Sequence, residues 1–137
     1  MSDMDQLRVL VVDDEPGMRR GVMRTLRNFT VNVPNVEQTV RFEIDEAESG
    51  EVALEKIEAD PPDIMLLDFK LPDVNGNIVC RTIRNQPEFE HMKIIIISGV
   101  ADPDEIEELK AVGADEFIRK PFAIETVIAR MAEMLKL

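Results

Sequence analysis

The chain contains no tryptophan and no tyrosine, and histidine and cysteine occur once each. Flavin carriers usually stack their ring on Trp or Tyr, so an electron-transfer role loses its ordinary support. Cys80 cannot close an internal disulfide and has no Cys or His companion at metal-ligand spacing, which fits a reducing compartment and a small buried side chain. His91 lies outside every motif and reads as a surface loop residue. No apolar stretch reaches bilayer-spanning length, and the opening MSDMDQLRVLVVDD has neither the basic region nor the long apolar run of a signal peptide. The expectation is a soluble, cytoplasmic protein. Basic charge is scarce too: 16 Lys and Arg face 28 Asp and Glu. The net charge of -12 disfavours direct binding of nucleic acid or anionic lipid by this chain. Neither G-x-x-x-x-G-K-S/T nor G-x-G-x-x-G occurs, which disfavours nucleotide hydrolysis.

What is present suits one domain. The 137 residues allow a single core, and the 45% that are hydrophobic fall in compact runs despite the acidity. Leu7 to Val12, Ile64 to Leu67 and Ile94 to Ile97 are short, rich in branched side chains and end in Asp or Ser, the pattern of parallel strands buried on both faces. Val40 to Ile44 and Glu116 to Arg119 are weaker candidates nearer the sheet edges. Helical spacing lies between: Met18, Val22 and Leu26; Ala53, Leu54 and Ile57; Val79 and Ile83; Ile106 and Leu109; and Ile124, Val127, Ile128, Met131 and Leu135. Ser49 can cap the second helix, Asp102 and Pro103 open the fourth, and Gly113 follows it. Five repeats of strand and helix predict an α/β fold, a mainly parallel sheet covered on both faces, with its ligand site at the carboxyl ends of the strands. Residues 29–39, FTVNVPNVEQT, form a long connection after the first helix, either a surface insertion or a small extra hairpin.

The strand ends carry the chemistry. The first strand runs into Asp13 and Asp14, and the third ends at Asp68. Two carboxylates about 4 Å apart repel by roughly 4 kcal/mol at an effective dielectric of 20. A trio must therefore take up a proton or hold a cation. Oxygen ligands without His or Cys favour Mg²⁺, with Mn²⁺ as the alternative. Ser98, with Gly99 beside it, offers a hydroxyl and room for a phosphoryl oxygen, and Lys120 offers an ammonium. Asp68 is then a carboxylate nucleophile of the kind that forms aspartyl-phosphate, surrounded by an electrostatic clamp.

Taken together, VLVVDDE at 9–15, ESGEVALEKI at 48–57, PDIMLLDFKLPDVNG at 62–76, IIIISG at 94–99 and GADEFIRKPF at 113–122 resemble the response-regulator receiver domains of two-component signalling. The resemblance covers nearly the whole chain, a single receiver domain over 1–137 with its core at about 7–135. It implies a flavodoxin-like (βα)5 three-layer sandwich with a five-stranded parallel sheet in the order 2-1-3-4-5. It makes Asp68 the phosphoacceptor and gives Mg²⁺ the carboxylates of Asp14 and Asp68, the backbone carbonyl of Lys70 and, through water, Asp13. Ser98 resembles the switch hydroxyl, Phe117 the aromatic that turns inward, and Lys120 the lysine that pairs with phosphate. Gly99 and Pro121 support them, with Lys120–Pro121 a candidate cis bond. The implied partner is a histidine kinase or phosphotransfer protein, and a homodimer through the fourth helix, fifth strand and fifth helix is a further expectation. The chain would be no enzyme beyond catalysing its own phosphorylation and dephosphorylation.

Departures are modest: Phe replaces the frequent Tyr at 117, Lys70 adds a positive side chain near the entrance, and the 29–39 insertion is the largest. Two alternatives use the same residues. A haloacid dehalogenase-like, Mg²⁺-dependent phosphatase would want an acid where Lys70 stands, and an interaction module that works without phosphorylation would not need the full set.

Overall fold

Val9 to Val12, Ile64 to Leu67 and Ile94 to Ile97 are buried on both faces and form the middle of the sheet. A computed structural model describes residues 4–27, 30–33, 38–99 and 102–134. In chain order the elements are β1 (Met4–Val12), α1 (Pro16–Arg27), β2 (Thr30–Val33), β3 (Gln38–Ala47), α2 (Gly50–Ala59), β4 (Ile64–Asp68), α3 (Gly76–Arg84), a 3₁₀ turn (Pro87–Phe89), β5 (Lys93–Ser98), α4 (Pro103–Ala111), β6 (Glu116–Arg119) and α5 (Ile124–Met134). The sheet order is β2-β3-β1-β4-β5-β6. Five of these strands are parallel and reproduce the expected 2-1-3-4-5 order once β2 is set aside.

The sixth strand is the addition. β2 pairs antiparallel with β3, Thr30 opposite Arg41 and Val33 opposite Gln38, so part of the 29–39 segment is a hairpin arm. Phe29 and residues 34–37, also in that segment, lie outside the described residues, as does Leu135.

Alternation along each strand divides the core in two. Leu10, Val12, Met65, Leu67, Ile94 and Ile96 face one layer with Ala53 and Ile57 of α2, Val79 and Ile83 of α3 and Leu109 of α4. Val9, Val11, Ile64, Leu66, Ile95 and Ile97 face the other, with Val22 and Leu26 of α1 and Val127, Ile128 and Met131 of α5. A strand that packs helices on both faces has no position left for a polar residue until it ends. Cys80 is fully buried, and burial pushes its thiol up to about 11, the state of an inert core side chain. Among the described residues no helix is long and apolar enough to cross a membrane.

The punctuation works as the sequence suggests. The Ser49 hydroxyl accepts from the Val52 N–H at the start of α2, and Asp102 and Glu105 form a reciprocal capping box at the start of α4. Gly113 has φ of 109°, and the N–H groups of Gly113 and Ala114 donate to Lys110 and Leu109 in the two bonds of a Schellman ending. Packed against that turn is Arg84. Its guanidinium donates to the carbonyls of Gly113 (2.9 Å), Phe89 (3.0 Å) and Met92 (2.7 Å) and to the Asp115 carboxylate (2.8 Å). One side chain thus joins the end of α3, the 3₁₀ turn, the entry to β5 and the loop before β6. Replacing it with Met leaves these part-buried acceptors bare, and we expect Arg84→Met to cost about 2–4 kcal/mol in urea unfolding. A loss under about 0.5 kcal/mol would show that the clamp is dispensable.

Candidate functional site

The parallel register brings the polar strand ends to one rim. Asp68 lies beside Ile97 and Ser98 beside Arg119, with Lys120 next in the chain. The ladder runs one bond past the strands: Asp13 N–H donates to the Ala47 carbonyl at 3.1 Å, Phe69 N–H to Ile97 at 3.3 Å and Lys120 N–H to Ser98 at 3.0 Å. The rim residues are therefore placed by backbone bonding to the sheet.

Carboxylate oxygens of Asp13, Asp14 and Asp68 lie within 4.8 Å of one another. Asp13 and Asp68 are 4% and 8% exposed, whereas Asp14 is exposed. The Lys120 ammonium lies 3.3 Å from Asp13 Oδ2 and 3.6 Å from Asp68 Oδ2. One cation among three carboxylates leaves an excess of negative charge. Burial first, then the neighbouring Asp13 and Asp14, hold the Asp68 carboxyl up to about 6, against the pull of Lys120 and a hydrogen bond from the Lys70 N–H. Burial alone would depress Lys120, but the Asp68 and Asp13 charges outweigh it and raise its affinity for its proton. The donor set is all oxygen, with an exposed member facing water. This suits a hard divalent ion such as Mg²⁺, which keeps water among its ligands.

Around this centre, Ser98 is 1% exposed at the end of β5, and Phe117 is half-buried on β6 against the α2–α4 side of the core. Gly99 lies over Lys120, where an added Cβ would come within 3.4 Å of the lysine Cβ. The Lys70 side chain is exposed and its backbone bridges Asn75. The Lys120–Pro121 bond is cis. His91 stands apart, its side chain 94% exposed.

Three contributors escaped the sequence reading. Arg19 reaches from α1 to the Asp13 carbonyl (2.7 Å) and to Glu46 (2.9 Å). Asp73 accepts from the N–H groups of Gly50 (3.0 Å) and Glu51 (2.8 Å), tying the loop after β4 to the start of α2. Burial works against its charge, but the backbone donors of Glu51, Gly50 and Val74 prevail and hold its carboxyl below the usual range. Gly76 packs so closely behind Asp68 that a Cβ there would meet the Asp68 carbonyl oxygen and Phe69 Cα, both at 3.1 Å. Arg19 did leave a signal: it shares the spacing of Val22 and Leu26, a charged residue on the buried face of its helix.

A doubly covered parallel sheet in this strand order, with its polar residues gathered at the carboxyl rim, defines a flavodoxin-like α/β domain. The chain belongs to the response regulator receiver domain family, whose profile matches residues 9–132. It is 33% identical over 135 residues to the response regulator MprA of Mycobacterium ulcerans, covering 95% of this chain and 50% of that protein. It is 35% identical over 95 residues to the phosphate regulon transcriptional regulatory protein PhoB of Rhizobium meliloti, covering 69% of this chain and 42% of that protein. The chain thus spans half or less of the length of these two relatives. Among solved structures, the chemotaxis response regulator CheY4 of Vibrio cholerae superposes with a TM-score of 0.81 at 26% identity, over 94% of this chain and 98% of that one. The receiver domain of a Luxo repressor protein from Vibrio parahaemolyticus gives 0.81 at 27% identity, over 96% and 91%. The chain is a receiver domain of the two-component type, consistent with a phosphorylation-dependent switch.

The raised Asp68 carboxyl has a sign that can be measured. Unfolded, the group releases its proton near 3.8; folded, it keeps it to about 6. Between those values the native state binds the extra proton, so rising pH costs stability, by roughly 3 kcal/mol for about two pKa units. Without divalent cation, Asp68→Asn should be more stable than wild type by about 1–3 kcal/mol at pH 7.5, and this advantage should vanish near pH 4. Urea unfolding in chelator at the two pH values checks it; parallel stability curves for the two proteins would refute it.

Proposed function

We propose that Asp68 accepts a phosphoryl group from the phosphohistidine of a histidine kinase or phosphotransfer protein, and that this covalent change switches the outer surface of the domain. The observation that carries the reading is the Asp68 carboxylate itself: it sits among Asp13, Asp14 and Lys120 at the end of a strand buried on both faces. An oxygen of Asp68 attacks phosphorus in line, the phosphorus–nitrogen bond of the donor breaks, and the histidine departs with the electron pair. Asp14, Asp68 and the Lys70 carbonyl would hold Mg²⁺ directly and Asp13 through water. Asp13 suits the indirect role because its two oxygens already accept from the Glu15 N–H at 2.9 Å and from Lys120. When bound, the ion offsets the negative charge shared by the acceptor and the phosphoryl oxygens.

Lys120 and Ser98 act after the bond forms. The Lys120 ammonium, now shared between Asp13 and Asp68, moves to the phosphoryl oxygens, and the Ser98 hydroxyl donates to the same group. Phe117 fills the space they leave. The altered face would be that of α4, β6 and α5, and α4 is suited to move because Leu109 is its one fully buried residue. We read 1–137 as a single receiver domain with its core at about 7–135, a cytoplasmic regulator that catalyses only its own phosphorylation and dephosphorylation. The same moving face would serve a homodimer. A net charge of -12 sets this chain itself against nucleic-acid phosphates.

Incubation with acetyl phosphate and Mg²⁺, followed by intact mass, tests the proposal. Wild type should gain one phosphoryl group, and Asp68→Asn, or wild type in chelator, should gain none. Equal labelling of Asp68→Asn, or no labelling of wild type, overturns it.

A further inference from the structure

Arg19 is a charged side chain only 9% exposed, set in the apolar stripe by which α1 packs on the sheet. A buried guanidinium is costly unless its donors are matched, and packing alone would be served by a Met or Leu at that position. Its donors end on two points of the rim: Nη1 on the Asp13 carbonyl at 2.7 Å and Nε on Glu46 at 2.9 Å. Glu46 lies near the end of β3, opposite Val11 of β1. The arginine therefore spans the helix, the edge side of the sheet and the acidic pair.

We propose that Arg19 is a positioning residue for the cation site, setting the direction of the Asp14 carboxylate by holding the peptide between Asp13 and Asp14. This rests on the reading of the rim as a Mg²⁺ and phosphoryl site.

Asp13 is fixed at several atoms. Its N–H donates to Ala47, and its carboxylate accepts from Glu15 and Lys120. Asp14 has none of this support: it is exposed and its side chain makes no hydrogen bond or ion pair among the described residues. Its direction comes from the backbone that carries it. The carbonyl of residue 13 and the N–H and Cα of residue 14 share one rigid plane, so a bond to that carbonyl orients the whole unit. Arg19 supplies the bond, and Glu46 keeps the guanidinium from swinging away. Without it the plane can turn, and Asp14 spends less of its time aimed at the position it shares with Asp68.

The test measures Mg²⁺ affinity by calorimetric titration of the intact chain, alongside urea unfolding. Arg19→Met, close in length but without donors, should weaken Mg²⁺ binding about tenfold, the range seen when groups that orient metal ligands are removed. Arg19→Lys retains the charge and one of the two contacts, folds more readily, and should lose about threefold. Leu26→Val, on the same buried face of α1 two turns away, should lower stability yet keep Mg²⁺ affinity within about twofold of wild type. The proposal falls if Arg19→Lys, and Arg19→Met where it folds, bind Mg²⁺ as wild type does. It falls equally if Leu26→Val weakens binding as much as the arginine variants, because the effect is then one of fold stability. A wild-type chain that takes up neither Mg²⁺ nor phosphate removes the underlying reading as well, an outcome distinct from variants that match an active wild type.

Discussion

Burial of β1, β4 and β5 on both faces holds three carboxylates where their charges would not keep them. The last stretch of each strand, Val9 to Val12, Ile64 to Leu67 and Ile94 to Ile97, is apolar, and the polar residue that follows emerges beside its neighbours because the parallel ladder sets their heights. The repulsion among Asp13, Asp14 and Asp68 is carried by packing elsewhere, in two hydrophobic layers that the acidic residues do not enter. The same excess charge raises the affinity of Asp68 and of Lys120 for their protons, and it is the charge that a divalent ion would offset. Stability and function draw on one arrangement with opposite signs.

Much of this was legible in the sequence because it depends on short-range pattern. Ile64 to Asp68 is an apolar run with an acid at its end, and Glu116 to Arg119 occupies the expected residues. Ser49, Asp102 and Gly113 act through neighbours three to five residues away, the range over which residue type is informative. The features that escaped depend on distant partners. Asp73 caps a helix that begins 23 residues earlier. Arg84 bonds to Gly113, 29 residues later, and Arg19 to Glu46, 27 residues on. Side chains of this kind look like ordinary surface charges until the fold brings their acceptors to them. The hairpin arm β2 was ambiguous for a related reason: alternating Val and polar residues fit either an edge strand or a loop, and only pairing with β3 decides.

The rim also shows a division between chemistry and orientation. Asp68, Asp14 and Lys120 meet at the site, whereas Asp13 is bonded at backbone and side chain on several sides at once. Gly76 packs close behind Asp68, where a side chain would crowd the Asp68 carbonyl, and Asp73 secures the loop that follows. Few atoms would face a ligand, and many more keep those few from drifting.

One feature of the opposite layer bears on how a change at the rim could be read out. α4 meets the core through Leu109, with Ile106 packed less deeply beside it, and its outer surface is mostly acidic. Glu108 is touched from α3 by Asn77 at 3.0 Å and Arg81 at 3.6 Å, contacts that water can replace at little cost. The helix is thus held mainly at one deep anchor, Leu109, and along its outer side by exposed polar contacts alone. Rearranging those contacts would alter a row of surface charges at far smaller cost than disturbing either hydrophobic layer.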